Sequence, residues 1–240
     1  MSFRNSVTII ASPRPRVGKT LLARLLTDFH IHEGRNVAAF DLNAGEGTLA
    51  KFAPDHTTVA EIGEIRAEMA LFDRLVAEDG VTKIVDLGHE TFAAFFALAQ
   101  RLGFGEEARR RNIAPSVLFM TTPDSTSVEA YERLRTRMPQ LTLTPVHNEL
   151  LGAAQHGDKY PMVARGATQL RFSALAPGMR KYVETPPFSF AEESLANARN
   201  IPLDTHVELQ RWLRKMYLEF RELDLRILLA DLQSSIRLTS

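Results

Sequence analysis

Residues 9 to 26, which read IIASPRPRVGKTLLARLL, contain the side chains of this chain that are best suited to chemistry. Gly18, Lys19 and Thr20 follow a β-branched apolar run and precede an apolar helical pattern. In that context, backbone N–H groups and the positive end of the helix surround a phosphate, while a lysine and a hydroxyl reach the terminal phosphates and Mg²⁺. We expect Lys19 and Thr20 to fill these two roles. The alternative is an ordinary turn that happens to read Gly-Lys-Thr.

The first half of this loop departs from the pattern G-x-x-x-x-G-K-[ST], because Pro13 stands where the pattern has its first glycine. Pro15 has no N–H to donate and fixes φ near about −65°. Arg16 is strained if the loop requires a positive φ at this position. Arg14 and Arg16 could offer side-chain donors to a phosphate, or both could simply be solvated. The sequence leaves these alternatives open.

The elements around the loop alternate between strands and helices. Strands are predicted at residues 7–11, 36–42, 83–86, 116–121 and 141–147, and helices at residues 20–32, 59–78, 90–102, 127–137, 191–200 and 204–236. Residues 152–170 read as a loop. The alternation predicts an α/β fold with a mostly parallel sheet and helices on both faces. The length suits a single domain over residues 1–240, with a C-terminal helical segment at about 204–236.

The composition excludes several classes of protein. The chain has 240 residues, equal numbers of basic and acidic residues (29 each) and no cysteine. Disulfides, thiolate metal sites and cysteine nucleophiles are therefore excluded, and a cytoplasmic location is expected. The N-terminus has no apolar stretch typical of a signal peptide, and no apolar run reaches the roughly 18 residues of a spanning helix.

Residues 14–20, Arg-Pro-Arg-Val-Gly-Lys-Thr, align with the variant pattern K-G-G-x-G-K-[ST]. The loop thus resembles that of the ParA/MinD family of P-loop ATPases (SIMIBI class), which carry a deviant Walker A motif. The resemblance implies that ATP or ADP binds with Mg²⁺ at the 14–21 loop, and that nucleotide drives homodimerisation. Arg14 occupies the position of the lysine that reaches the partner's nucleotide. The loop residues implied to contact nucleotide are Arg16, Val17, Gly18, Lys19, Thr20 and Leu21.

Two further segments resemble the family's switch and Walker B regions. In AAFDLNAGEGTL, Asp41 matches the first carboxylate of a D-x-D motif and Asn43 replaces the second. In KIVDLG, Asp86 would reach Mg²⁺ through water. The resemblance implies a metal site made by Thr20, Asp41 and Asp86, with Asn43 near the attacking water. An amide can hydrogen-bond water but cannot act as a base.

The resemblance also extends to the expected base pocket. In LTPVHNELLG, Asn148 would read the adenine edge through its amide, and the alternative is an ordinary turn asparagine. In ETPPFSFAEESL, Phe188 would form a wall for adenine, although a core position is the commoner fate of phenylalanine.

Two hypotheses for function follow from these features. The first is a ParA/MinD-like ATPase that hydrolyses ATP slowly as it dimerises, and that positions or partitions a cellular cargo. The second is a degenerate member that does not hydrolyse ATP and acts as a regulatory or interaction protein with an unknown protein partner. Lys19, Thr20 and Asp86 favour nucleotide binding under either hypothesis. Pro15, Arg16 and Asn43 favour the second.

The remaining patterns concern surfaces. Arginines cluster at residues 109–111, at 133, 135 and 137, and at 211 and 214 with Lys215. DNA binding is possible there, but solvated faces are the favoured interpretation. Near the C-terminus, a stripe of Leu225, Leu228, Leu229, Leu232 and Ile236 predicts a helix that packs on the core or forms a dimer. Membrane binding is not favoured, because acidic residues offset the basic ones on the polar face.

Overall fold

Seven parallel strands form one sheet at the centre of the molecule. This computed structural model describes residues 5–43, 48–152, 160, 169–190 and 201–237, with side chains described as far as residue 229. The order across the sheet is β3-β2-β4-β1-β5-β6-β7. The strands are β1 (Ser6–Ala11), β2 (Val37–Leu42), β3 (Thr57–Val59), β4 (Thr82–Leu87), β5 (Ala114–Met120), β6 (Thr142–Asn148) and β7 (Leu170–Phe172).

The described residues also form eight α-helices, most of which connect successive strands. They are α1 (Lys19–His32), α2 (Thr48–Phe52), α3 (Ile65–Leu75), α4 (Phe92–Arg101), α5 (Phe104–Arg110), α6 (Ser125–Arg137), α7 (Pro177–Val183) and α8 (Leu203–Arg237). Helix α1 ends before Gly34, whose φ of +72° stops it where the sequence predicted.

The helices cover both faces of the sheet. On one face α3 to α6 form an apolar cluster in which Phe72 of α3 packs on Phe95 of α4. On the other face α1, α7 and α8 form a second cluster, in which Phe29 of α1 contacts Phe220 of α8. The central strands are buried on both sides, which explains their continuous apolar runs. The predicted parallel sheet with helices on both faces is confirmed.

Several predicted boundaries were wrong. The helix predicted from residue 59 begins only at Ile65, because Val59 ends the edge strand β3 and Gly63 has a φ of +138°. Strands β3 and β7 have three residues each, too few for an alternating pattern to reveal them. Helices α2, α5 and α7 were also missed. The predicted helix at 191–200 and most of the predicted loop at 152–170 lie outside the described residues.

The C-terminal helix α8 packs on the sheet through a different stripe from the predicted one. The buried side includes Trp212, Met216 and Phe220. Leu225 and Leu229 are 59% and 57% exposed, so core packing of the predicted stripe is wrong at these positions. The side chains of Leu232 and Ile236 lie outside the described residues. Among helices of the described residues, none is long and apolar enough to cross a bilayer.

Candidate functional site

The loop between β1 and α1 makes its turn at Gly18, the residue that precedes the helix. Gly18 has a φ of +95°, which favours glycine. A Cβ atom there would lie 2.9 Å from Asn148 Nδ2 and 3.1 Å from the ring of Phe172. Both conformation and space therefore require glycine, and the turn places Lys19 and Thr20 in the first turn of α1, beside its free N–H groups.

Arg16 keeps a glycine-like backbone in the first half of the loop. Its φ is +57°, the left-handed conformation that the sequence identified as a source of strain. The cost of this conformation for a residue with a Cβ is roughly 1–2 kcal/mol. Its side chain is exposed and lines the cavity described below. The loop thus keeps a turned backbone at Arg16, although Pro15 and Arg16 replace the first two glycines of the variant pattern.

Lys19 is buried at the base of the loop. Its Nζ donates a hydrogen bond to the carbonyl oxygen of Arg14 at 2.8 Å. Burial lowers the pKa of Lys19, and the negative charge of Asp86 opposes this shift. The ammonium group therefore holds the two ends of the loop together, and an anion in the loop would compete with the Arg14 carbonyl for it.

Arg14 is bound within its own chain. Its Nε donates to Asp124 Oδ1 at 2.9 Å, and its Nη2 forms an ion pair with the same carboxylate. The hydrogen bond from Arg14 is the main reason that the pKa of Asp124 lies well below its usual range. Asp124 also accepts the backbone N–H of Ser127 and so caps α6. Contact between Arg14 and a partner's nucleotide stays a prediction, because it requires release from Asp124.

Two buried carboxylates lie behind the loop, at the ends of adjacent strands. Asp41 of β2 pairs in register with Asp86 of β4. Thr20 Oγ1 donates to Asp86 Oδ2 at 2.7 Å. The two amide hydrogens of Asn43 Nδ2 bridge the carboxylates, to Asp41 Oδ1 at 2.8 Å and to Asp86 Oδ2 at 2.9 Å. Burial, with a contribution from the charge of Asp41, raises the pKa of Asp86 to about 6.

The second oxygen of Asp86 fits a hard cation. Oδ1 is buried and has no hydrogen-bond partner among the residues that the structure describes. Such an atom is costly unless an ion or a water satisfies it, and carboxylate and hydroxyl oxygens suit Mg²⁺. No three His, Asp or Glu side chains cluster as a metal site in the described ranges. Asp86 and Thr20 would therefore hold Mg²⁺ together with water.

Asp41 has a structural role that the sequence did not indicate. Its Oδ2 accepts the backbone N–H groups of Leu49 and Ala50, at 2.6 and 3.1 Å, near the start of α2. Its Oδ1 accepts both the backbone N–H and the amide of Asn43. A carboxylate has about four acceptor positions, and these four bonds use them. We therefore revise the role of Asp41 from metal ligand to support of the site.

The loop opens on a cavity of about 820 Å³. Neither Arg14 nor Asp41, Asp86 or Phe188 belongs to its described lining. Asp86 contacts two residues of this lining, Thr20 and Asn43, through its Oδ2. The predicted site residues that the cavity does bring together are Arg16, Val17, Gly18, Lys19, Thr20, Leu21, Asn43 and Asn148.

The structure gives different results for Asn148 and Phe188, the two residues that the sequence predicted to contact adenine. Asn148 Nδ2 donates to the Val17 carbonyl at 3.0 Å and its Oδ1 accepts the Leu150 N–H at 2.9 Å, so it supports the loop. Each end of the amide can make one more hydrogen bond, and contact with a base stays a prediction. Phe188 is 4% exposed and packs against Phe190. It therefore occupies the core position that was the alternative, and we leave Phe188 out of the proposed site.

The sequence did not predict most of the cavity lining that lies outside the phosphate loop. Phe52 of α2 lies with its ring 3.6 Å from the guanidinium carbon of Arg24. Thr48 lies near the phosphate loop, with its hydroxyl 3.4 Å from that of Thr20. No motif indicated these residues, because only the fold brings α2, β7 and α7 to the loop. The missed lining residues are Arg24, Thr48, Phe52, His89, Leu150, Phe172, Ser173, Leu175, Arg180 and Glu184.

The basic clusters are partly neutralised within the chain. Arg110 and Arg111 both pair with Glu107, at 2.6 and 2.5 Å, and Arg135 pairs with Glu132. These pairs support the interpretation as solvated faces. They do not extend to Arg133 and Arg137, for which the described residues provide no carboxylate partner.

Comparisons with known proteins give a likeness in fold alone. No protein-family model matches the chain, and no curated protein matches it in sequence. The signal recognition particle 54 kDa protein from Aeropyrum pernix K1, in complex with GDP, is 14% identical with a TM-score of 0.51. That match covers 89% of this chain and 50% of the other, so the chain spans about half the length of that protein.

A second solved structure is the MinC:MinD cell division protein complex from Aquifex aeolicus. It is 13% identical with a TM-score of 0.49, and the match covers 86% of this chain and 94% of the other. A likeness at this level carries no argument about kinship, so membership of the ParA/MinD family stays a prediction. The seven-stranded parallel sheet and the match to the signal recognition particle protein identify the fold of the chain as that of the P-loop nucleoside triphosphatases.

Proposed function

We propose that the chain is a ParA/MinD-like nucleotide-binding protein that binds Mg-ATP at the 14–21 loop. One observation carries the proposal. Lys19 and Thr20 begin a helix at the mouth of a cavity of about 820 Å³, and Thr20 bonds to Asp86, whose other oxygen Oδ1 has no partner among the described residues. A loop, a cavity and a buried acceptor combined in this way suit a phosphate chain with its cation.

The residues of the loop and its neighbours would have separate roles in nucleotide binding. Lys19 would exchange the Arg14 carbonyl for phosphate oxygens, which are the stronger acceptors for an ammonium group. Thr20 and Asp86 would hold Mg²⁺, which supplies positive charge to the terminal phosphates. Gly18 lets the loop pack closely against Asn148 and Phe172, and Asn148 keeps the Val17 carbonyl in place.

Hydrolysis is proposed to be weak or slow. Asn43 stands where the family has a carboxylate, and its amide hydrogens bridge Asp41 and Asp86. It can orient a water through its carbonyl oxygen but cannot take a proton from it. Arg14 is held by Asp124, so assistance in trans would need that ion pair to open.

The Asn43 amide and the Arg14–Asp124 ion pair also favour a second candidate function. This candidate is a protein that binds nucleotide without hydrolysing it and acts through a protein partner. Dimerisation on ATP and a role in positioning or partitioning a cargo belong to the first candidate, and a cytoplasmic location is proposed for both. DNA binding is not favoured, because several of the basic residues are paired within the chain.

Calorimetric titration of Mg-ATP and Mg-ADP tests binding directly. We expect the wild type to bind both nucleotides and Lys19→Ala to lose at least about 100-fold in affinity, since a buried charge-assisted contact is removed. Lys51→Ala, which removes an exposed lysine of α2, is the matched control and should bind like the wild type. Absence of binding to the wild type at millimolar nucleotide would sink the proposal.

Phosphate release under single-turnover conditions separates the two candidates. A slow ATPase releases phosphate in a reaction that disappears in Lys19→Ala. A member that only binds nucleotide releases none above the rate of free Mg-ATP, although the calorimetric binding is retained. Sedimentation with and without Mg-ATP then reports whether nucleotide drives dimerisation.

A further inference from the structure

An open groove lies between α4 and α6, on the opposite face of the sheet from α1. Its volume is about 320 Å³, at the low end of the range for ligand pockets. Its floor is apolar and is formed by Phe92 and Phe96 of α4 with Leu134 and Met138 at the end of α6. We call this feature the α4–α6 groove.

The α6 rim of the α4–α6 groove carries two arginines and one glutamate, Glu129, so its net charge is positive. Arg133 and Arg137 are exposed, lie one helical turn apart, and have no carboxylate partner within the described ranges. The opposite rim has Ala93 and Ala97, two small exposed residues that let another backbone approach closely. An apolar floor with two arginines along one rim, neither paired within the described residues, suits an aliphatic ridge that has carboxylates on one side.

Helix α3 of the same chain presents a ridge of that kind. Ile65 and Met69 are 73% and 57% exposed and lie one helical turn apart. Glu61 and Glu64 are exposed beside them, and the described part of the chain offers neither an ion-pair partner. We call these four residues the α3 ridge. Exposed apolar patches rimmed by polar residues often mark a surface that another molecule covers.

We propose that a second copy of this chain covers both features, with the α3 ridge of one copy seated in the α4–α6 groove of the other. Ile65 and Met69 would fill the apolar floor, while Glu61 and Glu64 would face Arg133 and Arg137. The charges of the two surfaces are opposite, and the small residues of α4 remove a steric obstacle. This complementarity identifies the occupant.

The two surfaces lie on the same face of the sheet. Phe72 of α3 stacks on Phe95 of α4 with ring centroids 5.4 Å apart, so the two helices are neighbours. A two-fold axis near this face lets each copy offer its ridge and its groove, which closes a dimer. This interface does not involve Lys19 or Thr20, so the dimer forms without nucleotide and is distinct from a nucleotide-driven one.

Sedimentation equilibrium without nucleotide tests the proposal by charge reversal. The doubly substituted chain Arg133→Glu/Arg137→Glu should dimerise at least about tenfold more weakly than the wild type, because like charges then face each other. Glu61→Arg/Glu64→Arg should weaken the dimer in the same way. An equimolar mixture of these two chains should recover a dimer of wild-type strength, since both interfaces of the mixed pair then have opposite charges.

Matched controls separate this interface from general effects of charge and from the nucleotide site. Arg211→Glu/Arg214→Glu makes the same change in net charge on exposed residues of α8 and should leave the dimer unchanged. The same measurements in Lys19→Ala exclude a nucleotide-driven dimer. A wild type that stays monomeric at the highest usable concentration would overturn the proposal. So would charge-reversed chains that dimerise like the wild type, or a mixture that fails to recover the dimer.

Discussion

The two halves of the phosphate loop reach similar backbone geometry by different means. The second half, Gly18 to Thr20, has the usual residues, and neighbours from β4, β6 and β7 surround it. The first half, Pro13 to Arg16, has none of the usual glycines and is held by the Arg14–Asp124 ion pair and the Lys19–Arg14 bond. In the second half, closely packed neighbours allow only glycine at position 18. In the first half, the side-chain contacts of Arg14 and Lys19 hold the loop in place of the missing glycines.

The largest effect is expected at Gly18 in the packed half. Gly18→Ala should lower the free energy of unfolding by about 3 kcal/mol, because a Cβ at a φ of +95° would also collide with Asn148. Gly34→Ala is the control, since Gly34 has a φ of +72° but no neighbour within 4 Å among the described residues, and should cost about 1 kcal/mol. Urea denaturation measures both. Equal costs would contradict the packing argument.

A smaller effect is expected from pH, at the carboxylate that contacts Thr20. Because the pKa of Asp86 is raised to about 6 in the folded chain, its contribution to stability is complete below about pH 4. This contribution is lost as the pH rises through about 6. The loss in free energy of unfolding is about 3 kcal/mol at most, and it is smaller if water reaches the Asp86 carboxylate. In the absence of divalent cations, Asp86→Asn should remove this loss, measured as melting temperature against pH.

Asp55→Asn, which changes an exposed carboxylate of the turn before β3, should keep the slope of the wild type. If Asp86→Asn also kept the slope of the wild type, the Asp86 carboxylate would not be the titrating group. The difference between the buried and the exposed half of the phosphate loop would then be smaller than we describe.

The smallest effect is expected at Arg16 in the exposed half. Arg16→Gly removes a strained φ of +57° but adds freedom to the unfolded chain, so we expect a gain of about 0.5–1 kcal/mol in unfolding free energy. Arg16→Ala, which keeps the Cβ and removes the charge, should show no such gain. A gain in Arg16→Ala as large as in Arg16→Gly would show that charge, and not backbone strain, is the cost at this position.

The sequence predicted which residues of the site directly follow or end a strand. Lys19 and Thr20 follow a strand, and Asp41 and Asp86 end two strands that a parallel sheet places side by side. The sequence did not predict the partner of Arg14, because Asp124 lies 110 positions away and its proximity depends on the order of strands. It also missed the cap that Asp41 gives to α2, since a five-residue helix leaves no clear periodic pattern.

The Asn43 amide sets the charge balance beside the loop. It places two N–H groups between Asp41 and Asp86 at a position where a second switch carboxylate would have made a third negative charge. A divalent cation next to two carboxylates leaves that corner electrically neutral, whereas next to three it leaves one negative charge. The terminal phosphate of a bound nucleotide would then meet a neutral neighbour instead of an anionic one. Weaker repulsion at that point favours a long-lived nucleotide complex over rapid turnover.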